Sequence, residues 1–164
     1  MRKIIAIGLL CSAICVSIIN ADNNLSLNVG GAGTTIESKS YGGVSVGLEW
    51  SLWKFNNEKL VTYTGLGGAS VNNGYFTYIG LGARYNIIDN LWIGIKANGS
   101  GLSSTDNSSN TDYIGFTYGV DAKYDFTRSH AAILSYIGGN LSASKTEVLN
   151  VDISSVSLSY VYSF

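Results

Sequence analysis

The chain has 164 residues, 10 Lys+Arg against 11 Asp+Glu, and only 13% charged residues. That is room for one domain, with no basic excess pointing to nucleic acid and no acidic run suggesting a tail. A soluble domain carries about 25% charge; low charge with 20 Gly, 11 Tyr and no Pro fits a surface that faces lipid.

The first 21 residues read as a secretory signal. Arg2 and Lys3 supply the positive start, Ile4 to Ile19 the apolar stretch, and Ala21 a small residue before the cut. Ile19 is larger than the ideal at its position, which leaves the cleavage site open. The competing reading is a membrane-anchoring helix, but the run is short of the roughly 20 apolar residues a spanning helix needs. Cys11 and Cys15 both lie here, so the mature chain is expected to have no disulfide, thiol nucleophile or thiolate metal site. Lipidation of Cys15 would favour a small residue before it, and Ile14 is not small. The expected division is residues 1–21 as signal peptide and 22–164 as one β domain.

From there the pattern is alternation with period two, about eight times over. Leu25, Leu27 and Val29 open it. Val44, Val46, Leu48, Trp50 and Leu52 follow, with Ser45, Gly47, Glu49 and Ser51 between them. Leu60 to Ala69 forms a strand whose parity can be argued either way. Tyr75, Thr77, Ile79, Leu81, Ala83 and Tyr85 oppose Gly80, Gly82 and Arg84. Leu91, Ile93, Ile95 and Ala97 oppose Gly94, Lys96 and Asn98. Ile114, Phe116, Tyr118, Val120, Ala122, Tyr124 and Phe126 oppose Gly115, Thr117, Gly119, Asp121, Lys123 and Asp125. Ala131 to Gly138 is apolar on both faces. Val156, Leu158, Tyr160, Tyr162 and Phe164 close the chain, with Val161 breaking the rule.

In each clear strand one face is large and apolar and the other is Gly, Ser, Thr, Asn and a few charges. A soluble sheet would balance its apolar face with a well-charged one. Small groups instead suit the crowded interior of a narrow barrel, with the large groups turned to hydrocarbon. In lipid every backbone polar group must pair within the protein, so such a sheet closes. The expected fold is all-β, an eight-stranded antiparallel up-and-down transmembrane barrel. A soluble lipocalin-like barrel or sandwich is the alternative.

Connections are expected to alternate between short (Lys54 to Lys59, Asn86 to Asn90, Asp125 to Ser129) and long polar ones (Thr34 to Ser40, Gly99 to Asp112, Gly139 to Asn150). The Ser70 to Gly74 connection is short but falls on the long-loop side. Such an order suits short periplasmic turns and longer outer loops. Aromatic residues sort to strand ends as two interfacial belts. Trp50, Trp53, Tyr85, Trp92, Tyr124, Tyr160 and Tyr162 form one belt, and Tyr41, Tyr75 and Tyr113 the other.

A signal-like start, eight amphipathic strands and the ending Val156-Ser-Leu-Ser-Tyr-Val-Tyr-Ser-Phe164 together resemble the small outer-membrane barrels of the OmpA/OmpX type. The resemblance implies that Val156, Leu158, Tyr160, Tyr162 and Phe164 form the terminal signal read by the barrel assembly machinery. It also implies location in the cell outer membrane. No peptidoglycan-binding domain is expected after the barrel.

Few residues can carry chemistry. His130, the lone histidine, follows an expected periplasmic turn. The lipid-modifying barrels that this chain resembles in size use a His with a Ser and an acid toward the outer leaflet, so His130 is on the wrong side. Glu49, Arg84, Lys96, Asp121 and Lys123 share the small-residue face and form a candidate lumen charge network. They either pair and plug the interior or line a polar path, and eight strands enclose little more than their own side chains. The Gly30–Gly33 and Gly65–Gly68 runs lack a phosphate-loop Lys and a following helix. No metal site and no cofactor is expected.

The function expected from this is structural or surface-interacting: membrane integrity or loop-mediated adhesion. A narrow pore for ions or small solutes is the alternative, and an outer-leaflet lipid enzyme a third. Expected partners are outer-membrane lipids, the assembly machinery during biogenesis and an extracellular partner reached through the loops; nucleic acid is not among them.

Overall fold

The computed structural model describes residues 25–71, 74–106, 109–143 and 150–164. The expected signal peptide lies outside them. Eight antiparallel strands run in chain order: β1 (Leu25–Ile36), β2 (Lys39–Phe55), β3 (Leu60–Val71), β4 (Gly74–Ile88), β5 (Leu91–Asp106), β6 (Ser109–Asp125), β7 (His130–Ala143) and β8 (Asn150–Ser163). Each pairs with the next, and β8 pairs with β1 to close a barrel. Closure is reinforced by the Ser26 and Ser163 hydroxyls, 2.8 Å apart, and by the Phe164 amide donating to the Leu25 carbonyl at 3.0 Å. A closed ladder leaves no edge, the condition for placing backbone in hydrocarbon.

The register fixes the barrel's shape. Starting at Ser26, the paired residues are Glu49, Gly65, Gly80, Asn98, Thr117, Gly139, Ile153 and then Ile36. One circuit therefore climbs β1 from position 26 to position 36, a stagger of 10 residues. Such a shear tilts the strands by about 35–45° and leaves an interior only wide enough for side chains.

Outside, the apolar face is displayed rather than hidden. Phe116 is 82% exposed, Ile95 67% and Ile79 63%, with Leu81, Tyr118, Val120, Leu134 and Leu158 around them. Inside, Gly119 is buried and Ser157 half-buried. The undecided strands also resolve. In β3, Tyr63, Ala69 and Val71 point inward and Leu66 outward. In β7, Ala131, Ile133, Ile137 and Leu141 point inward and Leu134 and Tyr136 outward. Val161, the irregular residue of β8, is 1% exposed and packs inside against Ala131 and Ile133.

The start of β1, the end of β8 and the β2–β3, β4–β5 and β6–β7 turns lie at one end of the barrel, here the terminal end; the other connections lie at the distal end. At the terminal end the ladder slips twice, between Ser51 and Trp53 and between Asn86 and Ile88. Each bulge turns two successive apolar residues outward, Leu52 with Trp53 and Ile87 with Ile88, all four exposed. Asn56, Asn57 and Glu58 then turn the chain at φ 52°, 52° and 67°, and Asn90 does so at 72°. Asn tolerates this left-handed region better than most residues.

Two expectations are corrected. The segments read as long distal loops are mostly ladder: β1 runs to Ile36 with β2 from Lys39, and β5 runs to Asp106 with β6 from Ser109. Only between Ala143 and Asn150 is the distal connection longer than two residues. Polar Ser and Thr runs above the apolar belt continue the pairing because the backbone bonds do not depend on side-chain polarity. The aromatic belts are also thinner than expected. Tyr41 and Tyr113 pack inward onto the lumen core, and Trp92 lines the lumen mouth, donating its indole N–H to Asp125 Oδ2 at 2.7 Å.

Candidate functional site: a filled lumen

The interior is layered. Its distal half holds an apolar plug of Val71, Phe76, Leu102, Ile137, Leu141 and Ile153, with Ile36, Tyr41, Tyr78 and Tyr113 against it and the buried hydroxyl pairs Thr34–Ser155 and Ser100–Thr117 beside it. Phe76 is 1% exposed and Leu141 0%. These residues come from β3, β4, β5, β7 and β8, so the plug is contributed from around the barrel rather than by one wall.

Below the plug, toward the terminal end, charge is concentrated on the wall built by β2 to β6. Arg84 of β4 is the hub. Its Nη1 and Nη2 donate to Glu49 Oε2 and Oε1 at 2.6 and 2.9 Å, and its Nε and Nη2 donate to Asp121 Oδ1 and Oδ2 at 2.7 and 3.1 Å. Both contacts are bidentate, the geometry in which a planar guanidinium and a carboxylate bind most strongly. Tyr63 donates its hydroxyl to Asp121 Oδ2 at 2.8 Å and lays its ring 4.1 Å from the Arg84 guanidinium carbon. Lys96 donates to Ser135 Oγ at 2.6 Å and stands 3.9 Å from Asp121.

Glycine makes this packing feasible. A β-carbon at Gly94 would fall 2.6 Å from Arg84 Cγ and 2.7 Å from Asp121 Oδ1, and one at Gly82 would strike the Tyr63 ring. The small-residue face is thus the space into which the long polar side chains fold.

Of the five residues read as a network, four meet: Glu49, Arg84, Lys96 and Asp121. Lys123 does not join them. It lies nearer the terminal mouth and pairs with Asp125 at 2.9 Å. Parity assigned it correctly to the lumen face but carries no information about height along the axis. Tyr63 escapes the sequence because the parity of β3 is undecided, and the Trp92–Asp125 bond because Trp92 is read by its nearness to a strand end although Asp125 is assigned by parity to the small-residue face.

Between plug and charges lies a small polar cavity of about 30 Å³, lined by Asn28, Lys96, Ser135, Ser155 and Ser159 among others. It has room for one or two water molecules. Asn28 Oδ1 is buried there without a protein partner. A wider vestibule of about 170 Å³ opens at the terminal end, with Lys54, Glu58, Trp92, Lys123 and Arg128 around it and Arg84 and Glu49 at its floor.

His130 begins β7 at the terminal end. Its ring sits beside Tyr160 and Tyr162, and its Nδ1 shares a hydrogen bond with the Tyr160 hydroxyl. Among the described residues, no carboxylate or serine hydroxyl bonds its side chain, and no cluster of three His, Cys, Asp or Glu side chains suited to a metal occurs. The residues of the terminal motif, Val156, Leu158, Tyr160, Tyr162 and Phe164, all lie exposed on the outer face.

No protein family's sequence profile matches the chain. No curated protein matches it. Solved structures do. Neisserial surface protein A superposes with a TM-score of 0.59 at 15% identity, over 85% of this chain and 97% of that one. Ail, the attachment invasion locus protein of Yersinia pestis, crystallised with the heparin analogue sucrose octasulfate, gives 0.56 at 14% identity, over 88% and 100%. A de novo designed transmembrane β-barrel gives 0.54 at 19%, over 88% and 98%. The closed antiparallel sheet, the filled interior and these likenesses lead to one conclusion: the chain has the fold of the small eight-stranded outer-membrane barrels.

Proposed function

We propose that this protein resides in the cell outer membrane, termini toward the periplasm, and acts there as a structural barrel that presents its distal rim to the exterior rather than as a conduit. The apolar plug of Phe76, Leu102, Leu141 and Ile153 carries the reading. An ion or solute entering the vestibule meets first the paired charges and then a closely packed, largely apolar layer that offers little to replace its hydration shell. The exposed apolar belt supports membrane residence, since a contiguous apolar surface of this extent is foreign to a soluble monomer. Strands of 12 to 17 residues exceed the about 9–11 that tilted spanning strands require.

The same reading assigns residues 1–21 to export and removal. It assigns Val156, Leu158, Tyr160, Tyr162 and Phe164 to recognition by the assembly machinery, and an extracellular partner to the distal turns. One of the structural neighbours is named as an attachment invasion protein, which supports a surface role. With β1–β2, β3–β4 and β5–β6 each joined by two residues, that surface narrows to strand ends and the longer β7–β8 connection.

Fractionation tests the proposal. The protein should be found with outer membranes, with a gel band that shifts on boiling. In planar bilayers the folded protein should be electrically silent; steady ion conductance would replace the structural reading with the pore.

A further inference from the structure

The outer wall is not uniformly apolar at the distal rim. On β6 the large residues Ile114, Phe116 and Tyr118 continue upward, all exposed. On β7, β8 and β1 the apolar face stops at Tyr136 and Val156. One rung higher, the register pairs Tyr118 with Gly138, Gly138 with Ser154, and Ser154 with Thr35. The rung after that pairs Phe116 with Asn140 and Asn140 with Asp152.

The result is a groove of about 250 Å³ on the outside of the barrel, not in the lumen. Gly138 is its gap. Tyr118 borders it across the strand pair, and a β-carbon at Gly138 would lie 3.0 Å from the Tyr136 hydroxyl. The Tyr136 ring thus leans over Gly138, which is buried beneath it, and Tyr118 stands beside them across the strand pair. Ser154, Thr35, Asn140, Asp152 and Glu37 supply hydroxyl, amide and carboxylate groups around them. The Asn140 amide, with its nitrogen turned to Asp152, holds that carboxylate in place.

We infer that this groove docks the sugar headgroup of a glycolipid in the outer leaflet. The inference rests on the membrane reading above. Three observations select the ligand. The groove begins where the acyl-facing row of Val120, Tyr136 and Val156 ends, so a lipid whose chains lie on that row brings its headgroup to the gap. Its lining contains carboxylates and no Lys or Arg, which disfavours the phosphate of an anionic lipid and suits the donated hydroxyls of a sugar. Its paired tyrosines offer flat apolar faces to the C–H side of a pyranose ring, with polar groups placed around the edge.

The test uses the protein folded into phosphatidylcholine vesicles carrying a minor fraction of either galactosyl diacylglycerol or phosphatidylglycerol. After gentle detergent extraction, native mass spectrometry counts the lipids retained. The expected result is selective retention of one galactolipid. Gly138→Leu, which displaces the Tyr136 ring from the groove floor, and Asp152→Ala should each reduce it about tenfold, while Ile95→Leu, outside the groove, leaves it unchanged. Equal retention of both lipids, or undiminished retention in Gly138→Leu, overturns the inference. Retention abolished by a chelator also overturns it, making the groove a cation site. Heat-modifiable mobility of every variant is recorded in parallel. A folded, inserted barrel without selectivity rejects the groove alone, whereas failure to insert rejects the membrane reading.

Discussion

Arg84 grips Glu49 through two parallel N–H···O bonds, 2.6 and 2.9 Å long, while the remaining edge of the same guanidinium holds Asp121. The Arg84 side chain is only 8% exposed and that of Asp121 0%. Removing the hub leaves two acids in a narrow interior with Lys96 as the one remaining counter-charge of the cluster. Arg84→Met should therefore destabilise the barrel by about 3–5 kcal/mol, the usual result of orphaning a buried ionic partner. Glu49→Gln, which keeps an acceptor and leaves Arg84 with Asp121, should cost less. Urea midpoints of the folded protein in vesicles measure both, and an Arg84→Met midpoint equal to that of wild type would show that the pairings contribute nothing.

Glycine substitutions separate the two faces. Gly94→Ala drives a methyl group into Arg84 and Asp121 and should cost about 1–3 kcal/mol by overpacking. A methyl group at Gly33, on the outer face, would meet nothing within 4 Å, and Gly33→Ala should be neutral. The same denaturation series reads the difference. Similar effects at both positions would contradict the inward packing of the charged side chains.

The plug has its own signature. Phe76→Ala removes the largest fully buried side chain of the interior and should cost about 3–5 kcal/mol, less if water enters the space. Phe76→Leu should recover most of that loss. Fluorescence-monitored unfolding gives both values, and an unperturbed Phe76→Ala protein would mean that the distal layer is not packed.

A charge on the outer wall distinguishes lipid from water. Ile95, the fifth of the 16 residues of β5, is 67% exposed among the outward apolar residues Leu91, Ile93 and Ala97. In a soluble protein Ile95→Arg would be harmless or helpful. In a bilayer it should cost about 2–4 kcal/mol near the midplane. Folding in vesicles measures the cost, and a neutral outcome there would point to an aqueous barrel.

The sequence was readable wherever one face of a strand is small and the other large. β4, β5, β6 and β8 reveal their parity this way, and with it the inward course of Arg84, Lys96 and Asp121. It was ambiguous in β3 and β7 for a physical reason: the lumen contains apolar packing as well as charge. Ile133, Ile137 and Leu141 face inward while Leu134 and Tyr136 face outward, so both sides of β7 look alike. Tyr41, Tyr113 and Trp92 share parity with Ser45, Thr117 and Lys96, and that clue outweighs their nearness to strand ends. The two bulges also leave a trace, since Leu52-Trp53 and Ile87-Ile88 are the adjacent apolar pairs at which alternation fails.

The central cluster contains two anionic and two cationic side chains, Glu49 and Asp121 against Arg84 and Lys96. Such a quartet sums to zero net charge, so its field falls off with distance faster than that of any one member. Carried as one unit along the barrel axis, the quartet would do no electrical work against a potential difference across the bilayer.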